Sequence, residues 1–299
     1  MKARPLNVVI VGAAGRMGRA LVRAASELPD QLAISGAVAS TTSTSLGRDA
    51  GELAGVARLD VPVTDDLAAA LARADVVIDF SQPHATRFNL TVCRAARKPL
   101  LIGTTGFPAE LTELFEAAAA EIPLLVAPNT SVGVNLLIEL TRLAARSLAS
   151  DFDIEIIEAH HRMKKDAPSG TALALGKAAA QGRGLAEDAA MKPANMGPAS
   201  GGLGTAGEGS SSPGVGATWA DRSGERIPGA IGFAVVRGGD IVGDHTVLFA
   251  GTGEQVTLGH RATDRAVFAR GALRAALWLA SRAPGRYFMR DFLGLKTET

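Results

Sequence analysis

The sequence predicts an α/β protein: a doubly wound parallel sheet followed by a second, α+β region with a mixed sheet. Three observations predict it. The chain opens on a short, almost wholly apolar run, Asn7 to Val11, as expected of a strand buried on both faces. That run passes through Gly12-Ala13-Ala14-Gly15-Arg16-Met17-Gly18 into Met17, Ala20, Leu21, Ala24, Ala25 and Leu28 at helical spacing. Strand-like and helix-like runs then alternate as far as Ala127, which is the pattern of parallel strands joined by crossover helices.

In order, Gln31 to Ala39 reads as a second strand and Val61 to Val63 as a weaker one. Asp66 to Arg73 reads as a helix, and Asp75 to Phe80 as a strand. A helix over His84 to Ala96, a strand over Pro99 to Ile102, a helix from Pro108 to Glu121 and a strand from Pro123 to Ala127 continue the alternation. The turns beginning at Gly12, Gly103 and Ala127 follow strand carboxyl ends, where sheets of this kind bind their ligands. Beyond them the pattern changes. A long helix covers Val134 to Leu148, a strand Asp153 to Ala159, and a helix Thr171 to Gln181. Residues 191–216 are Gly-, Ala- and Ser-rich and read as a mobile surface insertion. Ala230 to Arg237, His245 to Ala250 and Gln255 to His260 supply strands for the second sheet, whose open face is a natural oligomer surface. A last helix runs from Ala266 to Ala280.

Composition narrows the function classes. Hydrophobic residues at 47% and charged residues at 20% suit a globular chain with a sizeable core. Aromatic residues at 4% give few platforms for stacking nucleic acid, and a net charge of +1 predicts no polyanion partner. No apolar run approaches a membrane span. Cys93 is the only cysteine, so no intrachain disulfide forms and a reducing compartment is expected. Its apolar surroundings predict a buried thiol. The residues suggest no metal site.

The first glycine turn departs from the usual dinucleotide fingerprint, because its glycines stand at Gly12, Gly15 and Gly18. The mechanics survive: glycine allows a tight turn and lets backbone N–H groups approach a pyrophosphate at a helix N-terminus. This makes the first region a Rossmann-like nucleotide-binding domain. An acid normally ends the second strand to hold the adenine ribose of NADH. Here Ala39 is followed by Ser40-Thr41-Thr42-Ser43, with no carboxylate before Asp49. Hydroxyls such as that of Ser40, with Arg16 or Arg48, suit the 2′-phosphate of NADPH, so NADPH is expected to serve at least as well as NADH.

The second chemical feature is Glu158 to Thr171, EAHHRMKKDAPSGT. Histidine exchanges protons near neutral pH and lysine carries a transferable proton. His160, His161 and Lys164 therefore make a proton-delivering loop, with Arg162 and Lys165 as supporting charge. Ser169, Gly170 and Thr171 begin the next helix, where backbone and hydroxyl donors suit a carboxylate. His84, His245 and His260 are scattered and are assigned to structure. The residues alone leave three readings: a reductase of a small anionic substrate, a dehydrogenase of another amino or imino acid, and a nucleotide-sensing protein without chemistry.

Glu158-Ala159-His160-His161, Lys164 and Asp166-Ala167-Pro168-Ser169-Gly170-Thr171-Ala172 resemble the signature of the dihydrodipicolinate (4-hydroxy-tetrahydrodipicolinate) reductases of lysine and diaminopimelate biosynthesis. Gly12 to Gly18, Asp79-Phe80-Ser81, Ile102 to Gly106, Asn129 with Ser131 to Asn135, and Gly238 to Gly243 match that family too. The resemblance implies hydride transfer from NADPH or NADH to a small cyclic unsaturated dicarboxylate. It implies His160 and Lys164 as the acid/base pair, and His161, Gly170 and Thr171 as holders of substrate carboxylates. It implies a cofactor lined by Gly12, Ala13, Ala14, Gly15, Arg16 and Met17, by Gly103, Thr104 and Thr105, and by Ala127, Pro128, Asn129 and Thr130. It further implies a cytoplasmic homotetramer and three regions: a nucleotide domain, 1–130; a substrate and oligomerisation domain, 131–265; and a C-terminal helix, 266–299, returning to the first. Three departures stand out. There is no acid near Ala39, Thr130 replaces a frequent aromatic residue, and the insertion before Trp219 is long.

Overall fold

The computed structural model of the chain describes residues 4–108, 110–148, 150–186 and 229–295. The expected insertion at 191–216 lies outside them. The chain divides into two compact units, Met1–Leu136 with Asp264–Thr299, and Leu137–Thr263.

The first unit is a parallel sheet of seven strands: β1 (Leu6–Val11), β2 (Leu32–Val38), β3 (Val63–Thr64), β4 (Val76–Asp79), β5 (Leu100–Ile102), β6 (Pro123–Val126) and β11 (Gly285–Tyr287). Their order is β11-β6-β5-β4-β1-β2-β3, all pairs parallel. Alternate side chains point to opposite faces, and both faces are covered. Val8 and Ile10 join a core with α1 (Arg16–Ser26) and α8 (Ala266–Leu279). Val9 and Val11 join a second core with α4 (Pro83–Ala95) and α5 (Leu111–Ala119). Double burial is why the opening strand is apolar without alternation, each such side chain contributing roughly 1.5–3 kcal/mol.

Cys93 is fully buried in the second core, and burial, helped by the nearby Asp79, pushes its thiol up to about 12. The last helix, α8, meets the turn after β6 closely. A Cβ on Gly271 would lie 1.9 Å from the Thr130 carbonyl oxygen, and the Thr130 hydroxyl donates to the Phe268 carbonyl at 2.7 Å. Three short elements carry no periodic signal in the sequence: α2 (Ala50–Ala54), β11, and α9 (Met289–Phe292). The helix expected over Asp66 to Arg73 is a single turn, α3 (Leu67–Ala70), tightening into a 3-10 turn over Leu71–Arg73.

The second unit holds a mixed sheet of β7 (Asp153–His160), β8 (Ile231–Arg237), β9 (Gly243–Ala250) and β10 (Gln255–Ala262) in the order β10-β9-β7-β8. β7 runs parallel to β8 and antiparallel to β9. One face packs on α7 (Gly170–Gly182) and on α6 (Val132–Ser147) through Ile154, Ile156, Leu175, Phe233, Val247 and Phe249. The other face leaves Ile157 and Val236 exposed. No helix of the described residues is long and apolar enough to cross a membrane.

Candidate functional site

The chemistry-bearing residues fall into two sets, one in each unit. In the first, the turn after β1 is drawn onto β2: the N–H groups of Gly12 and Ala13 both donate to the Val38 carbonyl, at 2.8 and 2.9 Å. Gly12 has φ +82°, and a Cβ there would lie 2.5 Å from the Phe80 carbonyl oxygen. A Cβ on Gly18 would lie 2.2 Å from the Gly12 carbonyl oxygen. Two glycines of the triplet are therefore required by backbone contact alone. The third, Gly15, opens α1 with no side-chain cap and no acid in the first turn. The helix thus presents N–H groups and a partial positive charge unopposed, which suits a phosphate. Arg16 is exposed beside it, and Arg19 braces the turn by donating to the Ala14 carbonyl at 2.9 Å.

Neighbouring strand ends complete this rim. After β2, the exposed Ser40 hydroxyl pairs with that of Thr42 at 2.8 Å. Asp49, the first carboxylate after β2, is buried. It accepts the N–H groups of Gly51, Glu52, Leu59 and Val61 at 2.9–3.1 Å. Burial opposes its ionisation, but those four bonds hold its carboxyl below the usual range. Asp49 is thus consumed by its own loop.

After β5, a Cβ on Gly103 would lie 2.1 Å from the Phe80 ring, so Phe80 wedges between the turns at Gly12 and Gly103. Thr104 is buried, with its hydroxyl on the Asp79 carbonyl at 3.4 Å, while Thr105 is exposed. After β6, Ala127 donates to the Ile102 carbonyl at 2.9 Å, and Pro128 is exposed. Asn129 is half-buried and accepts the Ser131 N–H at 2.9 Å. Thr130 is buried against α8 through the Phe268 bond, so any cofactor contact it makes runs through its backbone.

The second set grows out of the strand pattern of β7. Its helix-facing row runs Ile154, Ile156, Glu158, His160, so the apolar row turns polar at its end. Register adds the neighbours. Glu158 stands opposite His245 of β9, His245 opposite His260 of β10, and His160 opposite Arg237 of β8. Glu158 is almost wholly buried. It takes Arg237 Nη1 and Nη2 at 3.1 and 3.0 Å, the Ser169 N–H at 2.9 Å, and His160 Nδ1. Burial pushes its carboxyl up, but Arg237, the Ser169 N–H and His160 outweigh that and leave it below the ordinary value.

Burial pushes the His160 imidazole down. Glu158 partly offsets this, and the charges of Lys164 and Arg237 add to it. His245 packs edge-on to His160 with centroids 5.0 Å apart, and its pKa is lowered to about 4 by burial and then by His160. A Cβ on Gly243 would sit 3.1 Å from His160 Nε2, so glycine leaves room at that atom.

Lys164 Nζ donates to both carboxylate oxygens of Asp166, at 2.9 and 2.7 Å. Arg162 and Lys165 are exposed, and His161 is half-buried. Gly170 and Thr171 form the first turn of α7, capped by the Ser169 hydroxyl, which accepts the Ala172 N–H at 3.1 Å. Ser169 is also tied to the network behind the turn. Its N–H goes to Glu158 and its hydroxyl lies 3.1 Å from His245 Nε2, so both groups have partners inside the unit.

Sequence reading missed Arg237, assigned His245 to structure, and gave Glu158 no role. The available signal was the alternation of β7, which turns Glu158 inward; a buried carboxylate requires a partner. Glu158, His160 and His245 bring possible metal-ligand atoms within 4.8 Å of one another. The Arg237 guanidinium, however, lies on the carboxylate where a cation would sit, which favours a hydrogen-bond network.

Two family models match the chain: "Dihydrodipicolinate reductase, N-terminus" over residues 6–130, and "Dihydrodipicolinate reductase, C-terminus" over residues 133–293. A 4-hydroxy-tetrahydrodipicolinate reductase of Alkalilimnicola ehrlichii is 51% identical, over 97% of this chain and 99% of that protein. One from Thiobacillus denitrificans is 48% identical, over 97% and 99%. Among solved structures, a dipicolinate-bound dihydrodipicolinate reductase from Paenisporosarcina superposes with a TM-score of 0.71 at 25% identity, over 96% of this chain and 98% of that one.

Proposed function

The chain belongs to the dihydrodipicolinate reductase family, and from that membership and the two sets of residues we propose how it reduces 4-hydroxy-tetrahydrodipicolinate to tetrahydrodipicolinate, a step of lysine and diaminopimelate biosynthesis. It is an oxidoreductase that uses a nicotinamide cofactor. The observation that carries the mechanism is His160 held by buried Glu158, beside Lys164 and ahead of the α7 N-terminus. The open, uncapped α1 N-terminus and its small residues, Gly12 to Gly15, fit a pyrophosphate.

When bound, the reduced cofactor supplies a hydride. Net, the ring gains that hydride and one proton and loses its hydroxyl as water, so two electrons pass to the substrate. Lys164 delivers the proton from Nζ, kept in place by Asp166. His160 receives and relays protons at Nε2. His161, Gly170 and Thr171 hold the carboxylates, the last two with the positive end of α7. Ser169 positions the turn through its N–H on Glu158 and stands beside Gly170 and Thr171 at the same helix start. Gly12, Ala13, Ala14, Gly15, Arg16 and Met17 hold phosphates, and the turns at Gly103, Thr104 and Thr105 and at Ala127 to Thr130 line the cofactor.

NADPH serves at least as well as NADH. Ser40 and the exposed Arg16 and Arg48 suit a 2′-phosphate, whereas Asp49 is spent on four N–H bonds. The test supplies enzymatically generated substrate and follows loss of reduced-cofactor absorbance. Turnover with both cofactors, and kcat/KM for NADPH at least equal to that for NADH, is expected. No rate above background overturns the activity, and a strong NADH preference overturns the cofactor assignment.

The assembly is a cytoplasmic homotetramer formed through the exposed face of the four-stranded sheet, where Ile157 and Val236 present apolar surface. Sedimentation equilibrium is expected to give four chains per particle for the wild type and smaller particles for Ile157→Asp. A monomeric wild type overturns the assembly.

A further inference from the structure

We propose that Glu158, gripped by Arg237, is a positioning residue: it keeps the His160 proton on Nδ1, leaves Nε2 as the proton acceptor, and through the same guanidinium registers the Lys164 loop against the imidazole. The proposal rests on the reductase reading and adds residues that reading does not use.

An ionised carboxylate only accepts hydrogen bonds. Glu158 stays ionised at neutral pH because Arg237, the Ser169 N–H and His160 outweigh its burial. The His160 nitrogen facing it, Nδ1, must therefore donate. His160 is itself neutral there, since burial and the charges of Lys164 and Arg237 outweigh Glu158. A neutral ring protonated at Nδ1 has its lone pair on Nε2, the atom beside which Gly243 leaves room.

Arg237 extends the arrangement. Its Nη2 also donates to the Asp166 carbonyl at 2.6 Å, and the Asp166 carboxylate holds Lys164. Glu158 reaches the α7 N-terminus through the Ser169 N–H. One ion pair, buried at its carboxylate end, thus ties the proton acceptor, the proton donor and the carboxylate cradle to the ends of β7 and β8. The groups facing His160 are Glu158, Arg237, Lys164 and His245. His245 adds no charge at neutral pH: its pKa is about 4, and with Nε2 against the Ser169 hydroxyl it acts as a neutral buttress.

The test begins without turnover. NMR of histidine-labelled wild-type enzyme is expected to show His160 as the Nδ1–H tautomer, and Glu158→Gln to move it toward Nε2–H, because the amide can donate. In kinetics, Glu158→Gln is expected to lower kcat by about tenfold or more with KM for the cofactor unchanged. The acid limb of the kcat/KM profile should move to lower pH, since the anion that raised the imidazole is gone. Glu158→Asp, aided by retained charge, should recover part of the rate. If Glu158→Gln fails to fold, the pair Glu158→Gln with Arg237→Gln, which buries no lone charge, is read the same way. An Nε2–H tautomer in the wild type overturns the proposal, as does a folded variant with unchanged kcat and unchanged acid limb. An inactive wild type bears on the reductase reading alone, because the tautomer is measured independently.

Discussion

Replacing Lys164 with alanine is expected to lower kcat by about 100-fold or more while leaving the cofactor KM unchanged. An ammonium that delivers its proton only as the ring is reduced is worth most in the transition state. A 100-fold loss corresponds to about 2.7 kcal/mol. A lysine that merely held the substrate would raise KM with kcat intact. Lys164 is only partly exposed, and its Nζ is fixed by both oxygens of Asp166, so the variant removes one placed proton donor. The loop backbone is anchored independently, by Arg162 N–H on the Gly239 carbonyl and Gly238 N–H on the His160 carbonyl. Circular dichroism should therefore be that of the wild type. Steady-state kinetics with an unchanged kcat would remove Lys164 from proton transfer.

Gly18→Ala is the second large effect, and it should fall on the cofactor. The added methyl would lie 2.2 Å from the Gly12 carbonyl oxygen and 2.5 Å from Ala13 Cα. Both are backbone and cannot swing aside, so α1 must move off the turn. Such overpacking typically costs about 1–3 kcal/mol of stability. Losing one or two hydrogen bonds to a charged phosphate, each about 1.5–3 kcal/mol, should raise cofactor Kd at least tenfold. Gly253→Ala is the control. Unlike Gly18, Gly253 has positive φ, at +83°, and its Cβ would meet nothing within 4 Å, so strain without a clash should leave cofactor Kd unchanged. Titration of reduced-cofactor fluorescence measures both. Equal affinity for Gly18→Ala and wild type would mean that the turn does not cradle the phosphates.

The doubly wound sheet was legible because its signal is local. Val8 to Val11 are buried on both faces and are therefore apolar in succession, and the helices beside them repeat at their own period. β11 and α2 were not legible. β11 spans three residues and exists because β6 offers it a parallel edge, Gly285 opposite Pro123 and Tyr287 opposite Leu125. α2 exists because buried Asp49 caps it while gathering Leu59 and Val61 from the far side of the loop. The glycine turn showed its spacing in the sequence but not its reasons. Gly12 is required by the Phe80 carbonyl, 68 positions on, which no window of neighbouring residues contains.

By itself the sequence determined the fold class and the family, and it marked out the glycine turn and the loop of titratable residues, since each rests on residues close in the chain, where periodicity and spacing act directly. Tertiary structure decided the electrostatics around His160. Glu158 is two positions away, but Arg237 and His245 arrive from strands more than seventy residues later, carried by the register of β8 and β9. One residue of slip would turn each of those side chains to the opposite face of the sheet. Charge interactions depend on distance and burial, and neither is set before the strands pair.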